Sequence, residues 1–443
     1  MKKLLLLLIA ITTINVLNAQ FIKRMADRAK NRLEQKAGDK VDKGVDEATD
    51  VKKKDKKKTS QGNEEEENEE VASNEENTSS SSDENEESKT TAKAATLKTY
   101  SKYDFVPGDK VIAYEDFTGT ELGDFPMRWN TNATGEVVTI SDREGKWLKI
   151  NKEGVYHPEF ITNLPENFTL EFDLGVNDKW NSWPLVMNIA KLKTPEDFSD
   201  YGKYVSWQGD HTVHIDFKPS VTSSLSDGNS KLVIGKDGNH QVNNDVNFAT
   251  WDHAKTKFAH ISVWRQKQRL RVYLNGEKIW DIPRGFDATA TYNAITFACH
   301  GAYHTNPDFY LLSNIRLAVG APDTRTKLIT EGKFVTSGIL FDVNKDVVKP
   351  ESYGTLKDIA TVLKENADVK VKIVGHTDAD GDENTNLELS KKRAAAVKVS
   401  LSKEFGIDES RMETDGKGES QPTDKNDNVI GKANNRRVEF IKL

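Results

Sequence analysis

The hydrophobic period shifts between residues 322 and 328, and that shift sets what most of this chain can fold into. Through residues 103–322 apolar and polar side chains alternate, as in Phe168-Thr169-Leu170-Glu171-Phe172-Asp173-Leu174. That is the pattern of a strand with one wet face. The runs 259–265 and 270–274 predict a hairpin, and Asn275-Gly276 suits the positive-φ positions of the turn that follows. Many short strands separated by Gly, Asn and Asp turns predict an all-β sandwich. From 328 to 443 the pattern alternates strand with helix. Strands are expected at 339–343 and 369–374, helices at 352–365 and 386–405, and closing strands at 411–414 and 437–441. That order predicts an α/β domain on a mixed βαβαββ sheet.

Three segments precede the sandwich. Residues 1–19 carry Lys2 and Lys3, an apolar stretch from Leu4 to Ile11 and then Asn18-Ala19, which reads as a secretory signal peptide too short to span a membrane. Residues 20–48 place Ile22, Met25, Ala29, Leu33, Ala37, Val41 and Val45 at helical spacing beside many Lys and Arg, a basic amphipathic helix. Residues 49–102 combine basic, acidic and serine runs with almost nothing apolar, so a disordered linker is expected there. A net charge of -7 over 443 residues argues for neither nucleic acid nor a dedicated anionic-lipid partner. One cysteine, Cys299 in an apolar run, leaves no internal disulfide and no cysteine metal cluster, and predicts a buried, inert thiol.

The chemistry concentrates near the C-terminus. Val374-Gly375-His376-Thr377-Asp378 closes a strand, and Arg393 follows fifteen residues later on a helix. A carboxylate and a guanidinium so placed suit a zwitterion, one taking an ammonium and the other forking onto a carboxylate. Asn386 stands two turns before Arg393 on the same helix face. A structural Asp378–Arg393 salt bridge is the alternative that the residues leave open.

With Gly416-Lys417-Gly418-Glu419, Pro422 and Asn434-Asn435-Arg436-Arg437-Val438-Glu439-Phe440 following in order, residues 328–443 resemble the OmpA-like C-terminal domain. Through that module Gram-negative envelope proteins hold peptidoglycan. The resemblance implies a non-enzymatic protein of the periplasm and outer membrane, without cofactor or metal, that binds the diaminopimelate residue of the stem peptide. It assigns the ammonium to Asp378 and the carboxylate to Arg393, with Thr377, Asn386, Leu389 and Arg436 lining the pocket. Two departures stand out. Gly431-Lys432 replaces the family's frequent Gly-Arg, and the loop Asp378-Ala379-Asp380-Gly381-Asp382-Glu383 is unusually acidic. Alternating carboxylates can ligate calcium, but the twelfth position from Asp378 is Leu389 where an EF-hand has glutamate. His376 lacks a nucleophile or a second metal-type histidine at a recognised spacing, and reads as structural.

In the sandwich, Arg271-Val272-Tyr273-Leu274-Asn275-Gly276-Glu277-Lys278-Ile279, Glu115-Asp116-Phe117 and Phe309–Leu317 resemble the concanavalin A/laminin G-type jelly roll. The Trp-rich segments offer Trp180, Trp183, Tyr204 and Trp207 as candidate platforms for a glycan partner, with core packing as the alternative, and Asp116 near the first strand is a candidate for holding a structural calcium. Glu171-Phe172-Asp173 also resembles the first two acids of a jelly-roll glycoside hydrolase, but Gly175 occupies the place of the third. A glycan-cleaving enzyme tethered to the wall is therefore the alternative function. A flagellar-type stator would need a retained membrane helix, and none is predicted.

Overall fold

The computed structural model describes residues 104–443, except 152, 179, 182, 201–210, 221–226, 237–238, 300–307 and 321–322. The signal peptide, basic helix and linker expected over 1–102 lie outside the described residues, as do Tyr204 and Trp207.

Two antiparallel sheets build the first part. One runs in the order Glu277–Ile282, Arg269–Leu274, Phe258–Gln266, Asn167–Val176, Tyr310–Val319, Trp147–Ile150 and Gly135–Val138, with Lys110–Glu115 also paired to Tyr310–Val319. The other runs Asn239–Phe248, Gly228–Lys236, Thr212–Phe217, Leu185–Ala190, Ala294–Cys299, Gly154–Pro158 and Trp129–Thr131. Their inner faces share one core. Phe172 of the first sheet meets Phe297 and Phe217 of the second edge-on, at 5.3 and 6.1 Å between ring centroids. The expected hairpin forms between Phe258–Gln266 and Arg269–Leu274. Asn275 and Gly276 turn the chain with φ of 48° and 82°. Cys299 is buried, and burial pushes its thiol up to about 12, so it stays protonated and unreactive.

One expectation fails here in an informative way. Leu170, Phe172 and Leu174 point inward as the alternation requires, yet Thr169, Glu171 and Asp173 on the opposite face are buried too. That face is not wet because the C-terminal domain lies against it. Arg316, in register with Glu171, donates to Ser337 Oγ of that domain at 2.6 Å.

The C-terminal domain has a four-stranded mixed sheet in the order Lys333–Thr336, Val438–Lys442, Val371–His376 and Met412–Gly418, the last two parallel. Its helices are α1 (Tyr353–Glu365), α2 (Glu383–Phe405) and the short α3 (Val429–Asn435). The strand expected at 339–343 is absent. The first strand is Lys333–Thr336, and in the run after it Ile339 is buried, Leu340 and Phe341 are half-buried and Val343 is exposed, with only an isolated bridge between Phe341 and Val348. Leu340 instead receives its bonds from local groups, its N–H donating to Ser352 Oγ and its carbonyl accepting from Lys349 N–H.

Helix α2 starts at Asp382, whose carboxylate accepts from Thr385 N–H, and stops at Gly406 in the left-handed region. Its buried face is Asn386, Ser390, Ala394, Val397, Leu401 and Phe405, narrow at the N-terminal end and broad at the C-terminal end. The narrow end lies almost on the sheet. A Cβ on Gly375 would come within 2.3 Å of the Ser390 carbonyl oxygen, and one on Gly416 within 2.4 Å of Lys391 N. These glycines let the helix descend far enough to bring Asn386 beside the loop that carries Asp378. Gly375→Ala is therefore expected to force backbone apart and to destabilise the protein by about 3 kcal/mol. Urea unfolding measures this, and an unchanged midpoint would contradict the close approach.

Candidate functional site

The strand Val371–His376 continues its hydrogen bonding past its end. His376 N–H donates to Arg437 O and Thr377 N–H to Gly418 O, both at 3.0 Å, so Asp378 emerges from a fixed backbone. Asn386 then staples the loop. Its Nδ2 donates to the carbonyls of Asp378 (3.4 Å) and Asp380 (3.0 Å) and to Glu419 Oε2 (2.6 Å). Lys432, the departure noted in the sequence, pairs with Asp380 at 2.6 Å and neutralises one of the extra loop acids. Among the described residues, no group of three or more His, Cys, Asp or Glu is arranged to hold a metal ion.

Asp378 is largely buried; Arg436 Nη1 donates to its Oδ2 at 2.5 Å, and Asp380 N–H donates to its Oδ1 at 3.3 Å. Arg393 is held differently. Its Nε donates to Lys345 O (2.9 Å) and its Nη2 to Asp342 O (3.1 Å), with the guanidinium 4.9 Å from the Phe341 ring centroid. Nη1 of Arg393 has no protein partner among the described residues. Burial lowers the Arg393 pKa, and the nearby charge of Arg436 lowers it further, while Asp378 and Asp346 oppose both. Asp378 thus lies among two guanidiniums, with Asp346 also in electrostatic range of Arg393. Leu389 is half-buried on α2 between Asn386 and Arg393, and the buried Thr377 hydroxyl has no protein partner. The six predicted residues are all in this neighbourhood. What sequence reasoning missed is that Arg436, predicted as lining, is the group on Asp378, and that loop carbonyls at 342 and 345 orient Arg393.

His376 is fully enclosed, with Nε2 3.5 Å from Glu439. Burial works against the charge of Glu439, but the neighbouring His376, Lys333 and Arg437 outweigh it and hold that carboxyl far below its ordinary value. The histidine belongs to an internal polar cluster under the strand end, away from solvent.

A sequence profile decides what this segment is. Residues 340–436 match the OmpA family. They form an OmpA-family domain. Over 101 residues the chain is 43% identical to outer membrane porin F of Pseudomonas fluorescens, covering 23% of this chain and 31% of that protein. Over 104 residues it is 39% identical to the probable lipoprotein YiaD of Escherichia coli strain K12, covering 24% and 47%. Over 107 residues it is 38% identical to the outer-membrane lipoprotein YfiB of Pseudomonas aeruginosa, covering 24% and 63%. The chain therefore spans less than two thirds of each of these relatives. Among solved structures, the peptidoglycan-associated lipoprotein from Burkholderia pseudomallei aligns at 30% identity over 24% of this chain and 88% of that one, with a TM-score of 0.23.

Between the OmpA-family domain and the first sheet lies the acid pair singled out for catalysis. His260 Nδ1 is 2.7 Å from Asp173 and its Nε2 is 3.7 Å from Glu171. Arg316 Nη1 donates to Glu171 Oε2 at 2.5 Å, and Asn314 Nδ2 to Asp173 Oδ2 at 2.7 Å. Burial penalises both carboxylates, but Arg316 and His260 hold Glu171 below its ordinary pKa, and His260, with Lys349 and Asn314, holds Asp173 far below. The same acids raise His260 to about 10 against the cost of burial. A glycosidase acid must keep its proton near neutrality and reach a sugar bond. These acids are ionised and sealed, so the cluster suits a seam between domains better than catalysis. Of the aromatic candidates, Trp180 is core and Trp183 is exposed. Asp116 accepts from the N–H and hydroxyl of Thr118, a local turn.

Proposed function

We propose that the chain is a non-enzymatic protein of the Gram-negative envelope, residing in the periplasm in association with the outer membrane. Its OmpA-family domain grips peptidoglycan without a covalent bond. One observation carries the reading: within the OmpA-family segment, Asp378 lies among two guanidiniums, Arg436 on it and Arg393 in electrostatic range. Diaminopimelate in the stem peptide presents an ammonium and a carboxylate on one carbon centre. Asp378 takes the ammonium through the lone pairs that Arg436 leaves open, Arg393 takes the carboxylate, and Thr377, Asn386, Leu389 and Arg436 complete the wall. Relatives named as outer membrane porin and outer-membrane lipoprotein support the location. Reading the two-sheet domain as a jelly roll, we assign it to presentation on the wall, with exposed Trp183 the platform it offers a glycan ring.

The test is competition. The mature chain should be retained on purified sacculi and released by a soluble stem peptide carrying meso-diaminopimelate, whereas the same peptide with lysine in its place, whose side chain ends in an ammonium alone, should not release it. Equal release by both peptides would refute recognition of the zwitterionic end.

A further inference from the structure

The OmpA-family pocket does not end at the domain boundary. Arg436 has two faces: Asp378 Oδ2 receives its Nη1, and the ring of Tyr114 lies 5.2 Å from its Cζ. Tyr114 belongs to the sandwich strand Lys110–Glu115. That strand is fixed to α3 by Asn434, which accepts from Val111 N–H at 2.9 Å and donates to Val111 O at 3.2 Å, a side chain imitating a strand partner. On the other flank, Glu144 of the sandwich lies 3.6 Å from Lys345 Nζ, and the Lys345 carbonyl is the group that orients Arg393. Arg436 is thus contacted directly from the sandwich, and the loop that orients Arg393 lies within reach of it.

We infer that Tyr114 is a positioning residue of the ligand site, so that the sandwich and the OmpA-family domain bind as one composite surface. This rests on the wall-binding reading above and deepens it. A guanidinium bonded through one nitrogen to one carboxylate oxygen can still swing about that bond. An aromatic face, negative at its centre, removes the swing by holding the cation flat. With Arg436 pinned on Oδ2, the remaining lone pairs of Asp378 keep a fixed direction for the incoming ammonium. Without the ring, Arg436 is free to fork across both oxygens and close the acceptor.

The experiment titrates full mature protein with a soluble muropeptide carrying diaminopimelate. Tyr114→Leu keeps apolar bulk but has no π face, and it should weaken binding about fivefold. Tyr114→Phe keeps the face and should bind within about twofold of the parent. If Tyr114 acts through Arg436, Tyr114→Leu should cost nothing further in an Arg436→Ala background. A merely structural role would instead give losses that add, and Phe would not rescue selectively. Asp378→Ala separates the two claims. Wild-type affinity in that variant overturns the wall-site reading together with this one. Loss there, with Tyr114→Leu binding like the parent or with additive losses, overturns the positioning role alone.

Discussion

Asp378→Ala is expected to abolish retention of the chain on peptidoglycan sacculi while leaving its circular dichroism unchanged, and Arg393→Ala to do the same. The electrostatics of the pocket predict a large effect. Asp378 is its negative centre, and removing it leaves Arg436 and Arg393 without the charge that separates them. An approaching ammonium then meets two like charges instead of a carboxylate. Loss of a charge-assisted hydrogen bond is worth about 1.5–3 kcal/mol, roughly one to two decades in affinity, before that repulsion is counted. Arg393 is held by two backbone carbonyls, so its loss should not disturb the Asp378–Arg436 pair. Its deletion is the cleaner probe of the carboxylate half. Undiminished retention in both variants would remove the site from these residues.

The second large effect is expected at the seam. Arg316→Met strips Glu171 of its nearest cation and Ser337 Oγ and Gly108 O of a donor. A buried carboxylate left without its partner costs about 3–5 kcal/mol, so the urea midpoint should fall sharply. Replacing Glu171 by Met as well removes the stranded charge and should recover most of the loss. The same seam has a pH signature. Asp173 is depressed below its ordinary 3.8, so its contribution is complete above that value and is lost as the solution becomes more acid. His260 is raised from 6.5 to about 10, so its contribution is complete below 6.5 and fades as pH climbs toward 10. His260→Gln should therefore destabilise more at about pH 6 than at about pH 9.5. Equal losses at the two pH values would show that the histidine carries no charge there.

What the sequence made legible, and what it hid, divides by contact range. Period and turn chemistry located the hairpin at Asn275-Gly276 and the helix carrying Asn386 and Arg393, because those signals are local. The run at 339–343 looked like a strand because it is apolar, yet its residues pack singly, Ile339 buried and Val343 exposed, and make no ladder. Alternation in 168–174 marked Glu171 and Asp173 as outward, correctly for the sheet, but outward from one domain is inward to the pair. The contact between Val111 and Asn434 joins positions 323 apart. No window of sequence carries that pairing, and the Tyr114–Arg436 contact depends on it.

The placement of the strand Lys110–Glu115 has a mechanical corollary. It is antiparallel to Tyr310–Val319, so a load applied along its axis meets the ladder in shear, where many bonds resist together. The same strand bears Tyr114 and docks α3. Load carried by this strand is therefore borne beside Arg436, one of the residues we propose for the wall site.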